Sequence, residues 1–513
     1  MRDPLRPLLL ALLLATALVL SVADRADPDL WGHVRYGADA IAAGRLPVMT
    51  TYSYTAPDFR WINHEWVSEV VFGAIAGVAG GTGLVAFKML LGLAFFAVTI
   101  ALARRRGAGL TPTALPILLA AVSLSPGWSV RPQIFSYAFF AVMIILLDGG
   151  VLWPIPLLFV VWANTHAGFV AGLAVLGLYL GCRTLAALLR DGAGAVRDAA
   201  YATTVLVASV LTVLCTPYGR SFVPWLVHAV TLHRPAISEW QPFAMSDPQF
   251  PPFVALALLV ALAWIGSRRP RPLAQTVVLA VVAWQSYLHA RHAPFLAILA
   301  ALWIPPHLQS LAERWVPAPS DGAVPGPSRV VHGAAWGVCA LLAVAVGLRV
   351  RPPWVDKGAF PVDAFAYMRN EGLSGRLVAH FDWAQYALYA FSPPTTVQFD
   401  GRFETAYPED VADMHFDFLL GDQGGRQPTG DPARILEFHD PELVLVSRRY
   451  LQPVTTMRSR QDAWVLLYQD ELAQIWGRRT RYDDPASAAY VPSTHRSISE
   501  RAEQGRVAWP ALP

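Results

Sequence analysis

About eleven apolar runs, each near the length of a bilayer crossing, divide the first 349 residues, and arginine clusters punctuate them on alternate sides. No feature limits the fold more. Inside a bilayer every backbone polar group must find its partner within the protein, so such runs must be helices. The composition agrees. Of 513 residues, 54% are hydrophobic and 15% charged, with a mean hydropathy of +0.39, which is too apolar for an ordinary soluble protein. A net charge of +3 makes no case for nucleic acid. Cys182, Cys215 and Cys339 lie in or beside apolar runs and read as small core residues rather than a disulfide set or metal site.

Apolar length and arginine bias together orient the chain. The first span is expected near 8–23, running from inside to outside. Ser21-Val22-Ala23 resembles a signal-peptidase site, but the run reads better as an uncleaved anchor. An outer loop follows at 24–66, then a Gly-rich apolar stretch at 67–81 that suits a helix leaning on the membrane. The second span, 82–103, ends at Arg104-Arg105-Arg106, a cytoplasmic marker. Further spans are expected near 112–127, 133–148, 151–165, 168–186, 199–215, 252–267, 273–289, 293–309 and 330–349. Arg183, Arg190 and Arg197, and then Arg268-Arg269-Pro270-Arg271, fall on the same inner side. The fold class is therefore a polytopic α-helical membrane protein with about 11 transmembrane helices, in the cytoplasmic (inner) membrane.

With this orientation the unusual polar groups gather outside. The first loop carries Asp24, Asp27, Asp29, His33, His64 and Glu65. Arg131 lies between the third and fourth spans, and Asn164 and His166 end the fifth. Tyr218 and Arg220 follow the seventh, Glu239 and Trp240 sit in the next outer loop, and Arg291 and His292 end the ninth. Ionisable groups at membrane depth are costly and mark functional sites. The plain alternative is that loops are simply polar. It accounts for arginines inside better than for acids and histidines outside.

Beyond residue 350 the pattern changes. Val362 to Glu371 reads as a helix, and 376–381, 396–399, 443–447 and 464–468 read as strands. The domains are expected as a membrane domain at 1–349, a small soluble extracytoplasmic α/β domain at 350–480 and a polar tail at 481–513. Asp400-Gly401-Arg402 has the chemistry of a turn, with acceptor binding as the rival reading. No Walker A or GxGxxG sequence argues for nucleotide binding.

In the first loop, the spacing of apolar residues predicts an amphipathic helix from Leu30 to Ala43, stopped by Gly44 and Pro47. Asp29 could be its N-cap. Trp61 and Trp66 read as interfacial anchors around N-H-E. An acid just past the first span, an interfacial helix and a Gly about fifteen residues on resemble the GT-C superfamily of membrane glycosyltransferases. Oligosaccharyltransferase catalytic subunits place Asp-Pro plus an aromatic there, and aminoarabinose and protein O-mannosyl transferases place Asp-Glu. Counting back from Gly44 matches Asp29 to the family acid, with Asp27 supplying the D-P pair. D-P-D in place of Asp-Glu, and N-H-E-W in place of a proline-rich second element, are departures.

The resemblance implies transfer of a sugar from a polyprenyl-phosphate-linked donor to an extracytoplasmic acceptor hydroxyl on a lipid, glycan or protein. Such a reaction needs a carboxylate to take the hydroxyl proton and guanidiniums to hold the departing phosphate. Asp29 is the base candidate, with Asp27 as partner. The binding candidates are His33, His64, Glu65, Arg131, His166, Arg220, Glu239, Arg291 and His292, each with a purely structural reading beside it. A divalent metal, Mg or Mn, on Asp27 and Asp29 is left open. The rival function is a non-catalytic membrane protein, either a transporter or a partner that binds lipid-linked glycan during assembly.

Overall fold

A computed structural model describes residues 6–21, 25–232, 237–315, 329–423 and 426–512. Asp24 lies outside the described residues. Thirteen α-helices precede the first strand: α1 Arg6–Ser21, α2 Leu30–Ala43, α3 Trp66–Arg105, α4 Leu110–Leu124, α5 Gln133–Asp148, α6 Ile155–Ala163, α7 Phe169–Asp191, α8 Val196–Leu211, α9 Phe222–Thr231, α10 Phe250–Gly266, α11 Leu273–Leu288, α12 Ala293–Trp315 and α13 Arg329–Arg349. Each expected span has a helix. The short α9 falls where only loop was expected. The leaning stretch and the second span form one 40-residue helix, α3, interrupted at Gly80, where φ is 59°.

Among the described residues, three helical stretches are long and apolar enough to cross a bilayer by length and composition: Trp66–Arg105, Phe169–Cys215 and Ala290–Trp315. Shorter apolar helical stretches of 10–17 residues are Pro7–Ser21, Leu110–Leu124, Gln133–Asp148, Phe250–Gly266, Leu273–Leu288 and Gly333–Arg349.

The chain divides into two compact units. The first runs to Asp24 and resumes from Leu84 to Arg351. Its central helix is α12, buried on every side from Ala293 to His307. Such all-round burial suits the middle of a helix bundle, whereas outer helices need only one apolar stripe. The helix packs on α4, α10 and α11.

The second unit combines Arg25–Gly83 with Pro352–Pro513. The first loop thus belongs to the same compact body as the C-terminal segment, although the sequence places the two about 290 residues apart. Six strands form a mixed sheet in the order β3-β2-β4-β6-β5-β7. They are β2 Arg376–Ala379, β3 Thr396–Val397, β4 Leu443–Ser447, β5 Trp464–Gln469, β6 Ala473–Arg478 and β7 Ser497–Ile498. β2 runs parallel to β3 and β4, while β6 is antiparallel to β4 and β5. A separate antiparallel pair joins β1 Trp354–Asp356 to β8 Arg506–Ala508.

Helices α14 Val362–Asn370, α15 Phe381–Phe391, α16 Glu409–Leu420, α17 Leu451–Arg458 and α18 Arg479–Tyr482 complete the unit. One core joins Val378, Val444, Val446, Met457, Trp464 and Trp476.

The segment 481–512, most of what was expected as a polar tail, is built into the second unit. It supplies β7 and β8, and its Pro510 carbonyl accepts from Trp31 Nε1 at 2.9 Å. The Ala511 carbonyl accepts from Tyr386 Oη. The buried face of α2 is likewise covered by protein. Trp31 has no exposed surface and stacks on Tyr386 at 4.6 Å. An amphipathic stripe identifies a buried face but not what covers it.

Candidate functional site

The second unit brings α2 against the start of α3 through two glycines. A Cβ at Gly37 would lie 1.8 Å from the Glu69 carbonyl oxygen, and one at Gly73 would lie 2.6 Å from the Ala38 nitrogen. Only residues without a Cβ allow this backbone approach. His33 stands one turn before Gly37 and Glu69 one turn before Gly73, so the same crossing sets the two side chains against each other. His33 Nδ1 lies 3.5 Å from Glu69 Oε1. Asn63 Nδ2 donates to Glu69 Oε2 at 2.5 Å.

Glu65 joins them. One ligand atom each from His33, Glu65 and Glu69 lies within 4.8 Å of the others. His33 and Glu69 are buried. Burial alone would push the His33 pKa down. The Glu69 contact and the charges of Glu65, Glu69 and Asp29 outweigh it, and the imidazole pKa stands above its ordinary value. His64 Nε2 approaches Glu65 Oε1 at 3.7 Å.

Two carboxylates and one imidazole are the donor types that Mn²⁺ or Zn²⁺ takes, and their spacing suits a common centre. The residues therefore fit a divalent cation. Neither Asp27 nor Asp29 belongs to this grouping among the described residues. Glu69 was not among the sequence candidates. Its signal was available: it is the one acid of an apolar run and stands four residues after Glu65, on the same helical face.

Asp29 precedes α2, but its side chain makes no capping hydrogen bond. Its amide donates to Asp27 Oδ1 at 3.1 Å. The carboxylate instead faces the D-G-R segment. A Cβ at Gly401 would come 2.4 Å from Asp29 Oδ1 and 2.6 Å from Gln385 Nε2. Gln385 is buried, and its Oε1 has no hydrogen-bond partner. No sequence signal could have linked Gln385 or Gly401 to Asp29, because only the fold brings them together.

The flanking residues of D-G-R hold the loop in place. Arg402 Nε and Nη2 donate to the two Asp400 oxygens at 2.9 and 2.7 Å, and Nη1 donates to Thr50 Oγ1 at 2.7 Å. The guanidinium carbon lies 4.9 Å from the Tyr36 ring, 5.3 Å from Tyr52 and 4.6 Å from Trp61. Trp61 is thus part of an aromatic box around Arg402, not an exposed anchor. The turn reading of these residues holds, and it carries a second role: fixing the first loop to the C-terminal segment.

The first unit gathers a different set. Arg291 Nη1 and Arg131 Nη1 lie 3.4 and 4.0 Å from the Glu239 carboxylate. Arg291 also sits 4.1 Å from the Trp240 ring centre. Burial pushes the Glu239 pKa up, but the charges of Arg131 and Arg291 outweigh it and hold the group below its ordinary value. The two arginines thus converge on one carboxylate.

His292 Nδ1 is buried without a hydrogen-bond partner. His166 Nδ1 meets Ser136 Oγ at 2.7 Å and accepts from the Gly168 amide, a structural arrangement. Arg220 is exposed, with no ion pair among the described residues.

No family model matches the chain, and no curated protein matches it in sequence. Its fold is similar to that of the archaeal oligosaccharyltransferase AglB from Archaeoglobus fulgidus, solved in complex with an inhibitory peptide and a dolichol-phosphate. The TM-score is 0.52 at 11% identity, over 86% of this chain and 69% of that one. An Archaeoglobus fulgidus oligosaccharyltransferase tethered to an acceptor peptide containing the NVT sequon gives 0.49 at 11% identity, over 85% and 68%. The likeness to AglB is one of fold: a helix-rich chain with a small sheet-containing unit.

Proposed function

We propose that the protein is a membrane glycosyltransferase that moves a sugar from a polyprenyl-phosphate-linked donor to an acceptor hydroxyl outside the cytoplasm. The observation that carries this reading is the placement of Asp29. Its carboxylate is not spent on capping α2 and lies in the unit that holds the His33–Glu65–Glu69 grouping. In this reading Asp29 takes the acceptor proton as the bond to the sugar forms, and Asp27 holds the Asp29 backbone. Gln385 lies beside Asp29 at Gly401 and orients either the carboxylate or the acceptor.

Arg131 and Arg291, steadied by Glu239, supply bidentate donors for the lipid phosphate. His33, Glu65 and Glu69 would hold a divalent cation, whose positive charge would favour the developing phosphate when bound.

The shorter apolar helices are read as spans too, giving about eleven crossings, with the first loop and the whole C-terminal segment extracytoplasmic. Two experiments test the reading. In a background lacking Cys182, Cys215 and Cys339, cysteines at Asp58 and Asp462 should react with an impermeant thiol reagent in intact spheroplasts. One at Ala193 should stay protected. The reverse pattern would sink the topology. Asp29→Asn in a deletion strain should abolish the envelope glycan or lipid modification that the native chain restores; full restoration would remove Asp29 as the base.

A further inference from the structure

The first unit has a second polar centre, on the face that carries Arg104 to Arg106 and Arg268 to Arg271. A cavity of about 200 Å³ opens there, lined by Arg106, Arg269, Gln275, Trp303 and His307, with Pro270 and Pro306 at its edge. None of these residues belongs to the set assigned to glycosyl transfer.

The charges in this cavity are unevenly matched. Arg106 Nη2 is paired with Asp148 Oδ2 at 3.0 Å, and its Nη1 donates to the Leu302 carbonyl. Asp148 is already surrounded by donors. Trp303 Nε1 reaches it at 2.8 Å, Gln275 Nε2 at 3.0 Å and Tyr179 Oη at 3.4 Å. That carboxylate neutralises one guanidinium and is otherwise satisfied.

Arg269 is different. It donates from Nη2 to the Arg106 carbonyl at 3.0 Å and has no carboxylate partner among the described residues. A guanidinium has five N–H donors, so most of those on Arg269 remain for a ligand. His307 adds a buried Nδ1 without a hydrogen-bond partner. Arg271 and Arg314 lie on the same face and donate to the main-chain carbonyls of Ile265 and Gly266. The local balance is positive and a donor set is left over.

We propose that this cavity binds a phosphate group. Arg269 is the main contact, Arg106 contributes its charge, and His307 supplies a ring nitrogen. Size selects the ligand class. Small-molecule sites usually occupy roughly 300–1,000 Å³, so this one suits a phosphate headgroup rather than a nucleotide or an oligosaccharide. A guanidinium grips such a group through two parallel hydrogen bonds. The source is either the headgroup of an anionic phospholipid in the adjacent leaflet or free phosphate. The proposal does not depend on the transferase reading.

The test uses the purified full-length protein. Native mass spectrometry from detergent gives the apparent affinity for phosphatidylglycerol against phosphatidylcholine. Thermal stability in phosphatidylcholine nanodiscs, with and without inorganic phosphate, provides the second arm. Arg269→Gln leaves no ion pair broken and should fold. It should weaken phosphatidylglycerol binding at least about tenfold, the scale of one lost charge-assisted hydrogen bond. His307→Leu should weaken it less.

Arg197→Gln, on an exposed arginine of the same expected face, should change nothing. If inorganic phosphate alone stabilises the protein, and does so only with Arg269 present, the phosphate site stands and its occupant is the free ion. The proposal fails if neither ligand is preferred, or if Arg197→Gln weakens binding as much as Arg269→Gln.

Discussion

Asp400 and Glu69 are both buried carboxylates of one compact unit, yet their surroundings treat them differently. Asp400 has no exposed surface. It accepts the Arg402 amide at 3.0 Å and Nε at 2.9 Å on one oxygen, and Arg402 Nη2 and Tyr407 Oη, both at 2.7 Å, on the other. Charge and hydrogen bonding close within the protein. Glu69 shares its surroundings with a second carboxylate, Glu65, and with the His33 imidazole, 3.5 Å away. Asn63 adds a dipole but no charge. A closed cluster serves architecture. Two carboxylates gathered with one imidazole are instead the donor set that a divalent cation takes.

The comparison is broken most severely at Arg402. Arg402→Ala leaves Asp400 buried without its partner and empties an aromatic box. Removing one member of a buried pair costs about 3–5 kcal/mol, a large share of the roughly 5–15 kcal/mol that holds a domain together. Expression should fall, and the thermal transition of this unit should drop or vanish. A variant with native stability would show that the pair is not what fixes the first loop to residues 352–513.

Asp29→Asn should do the opposite. The side chain does not cap α2, and Asn is nearly isosteric, so folding should change little. Loss of a general base typically costs about 10²–10⁴-fold in rate. Circular dichroism and melting should match the native chain, while transfer measured with a lipid-phosphate sugar should fall by that factor. A folded variant with undiminished transfer would remove Asp29 as the base.

Residue spacing revealed part of this contrast. Asp29, His33 and Glu65 stood out because charge beside an apolar span is costly, and their spacing put them near one helix face. The helix from Leu30 to Ala43 and four strands were legible from periodicity and turn residues. Glu69 was hidden by the apolar run around it, which reads as membrane-facing until α2 is seen crossing it. Strand β6 was missed because Ala473 to Arg478 shows no alternation; as a central strand it is buried on both faces. Arg402 read as a turn residue because its aromatic box comes from residues about 350 positions earlier. Long-range pairing of this kind leaves no local signal in a single sequence.

A smaller effect sharpens the open cluster. If His33, Glu65 and Glu69 take a cation, Mn²⁺ should raise the thermal stability of the purified protein, by about 2.7 kcal/mol at a hundredfold excess over the dissociation constant. Glu69→Gln should remove most of that gain. Without metal it should cost little, since it also removes a like charge from Glu65. The readout needs no substrate. Equal Mn²⁺ responses in the native chain and the variant would exclude Glu69 as a ligand.

The smallest effect lies at a third buried carboxyl, which neither an arginine nor a cation neutralises. Glu503 is buried and accepts the Asp363 amide at 3.3 Å on each oxygen. Burial pushes its pKa up to about 9, helped by its hydrogen bond to Asp470 and the charges of Asp470 and Asp363. Asp470 is itself held by Tyr468 Oη and the amides of Leu472 and Ala473, so Glu503 is the member that keeps the proton.

The sign follows from proton binding. Between the ordinary glutamate value and about 9, the folded chain holds a proton that the unfolded chain has released. The stability contributed by Glu503 is therefore full at acid pH and falls as pH rises towards 9. Glu503→Gln keeps the shape and stays neutral at every pH. Its melting temperature should match the native chain near pH 5 and exceed it progressively towards pH 9. A constant offset between the two melting curves would show that Glu503 is ionised throughout, and that this unit has two ways of accommodating a buried carboxylate rather than three.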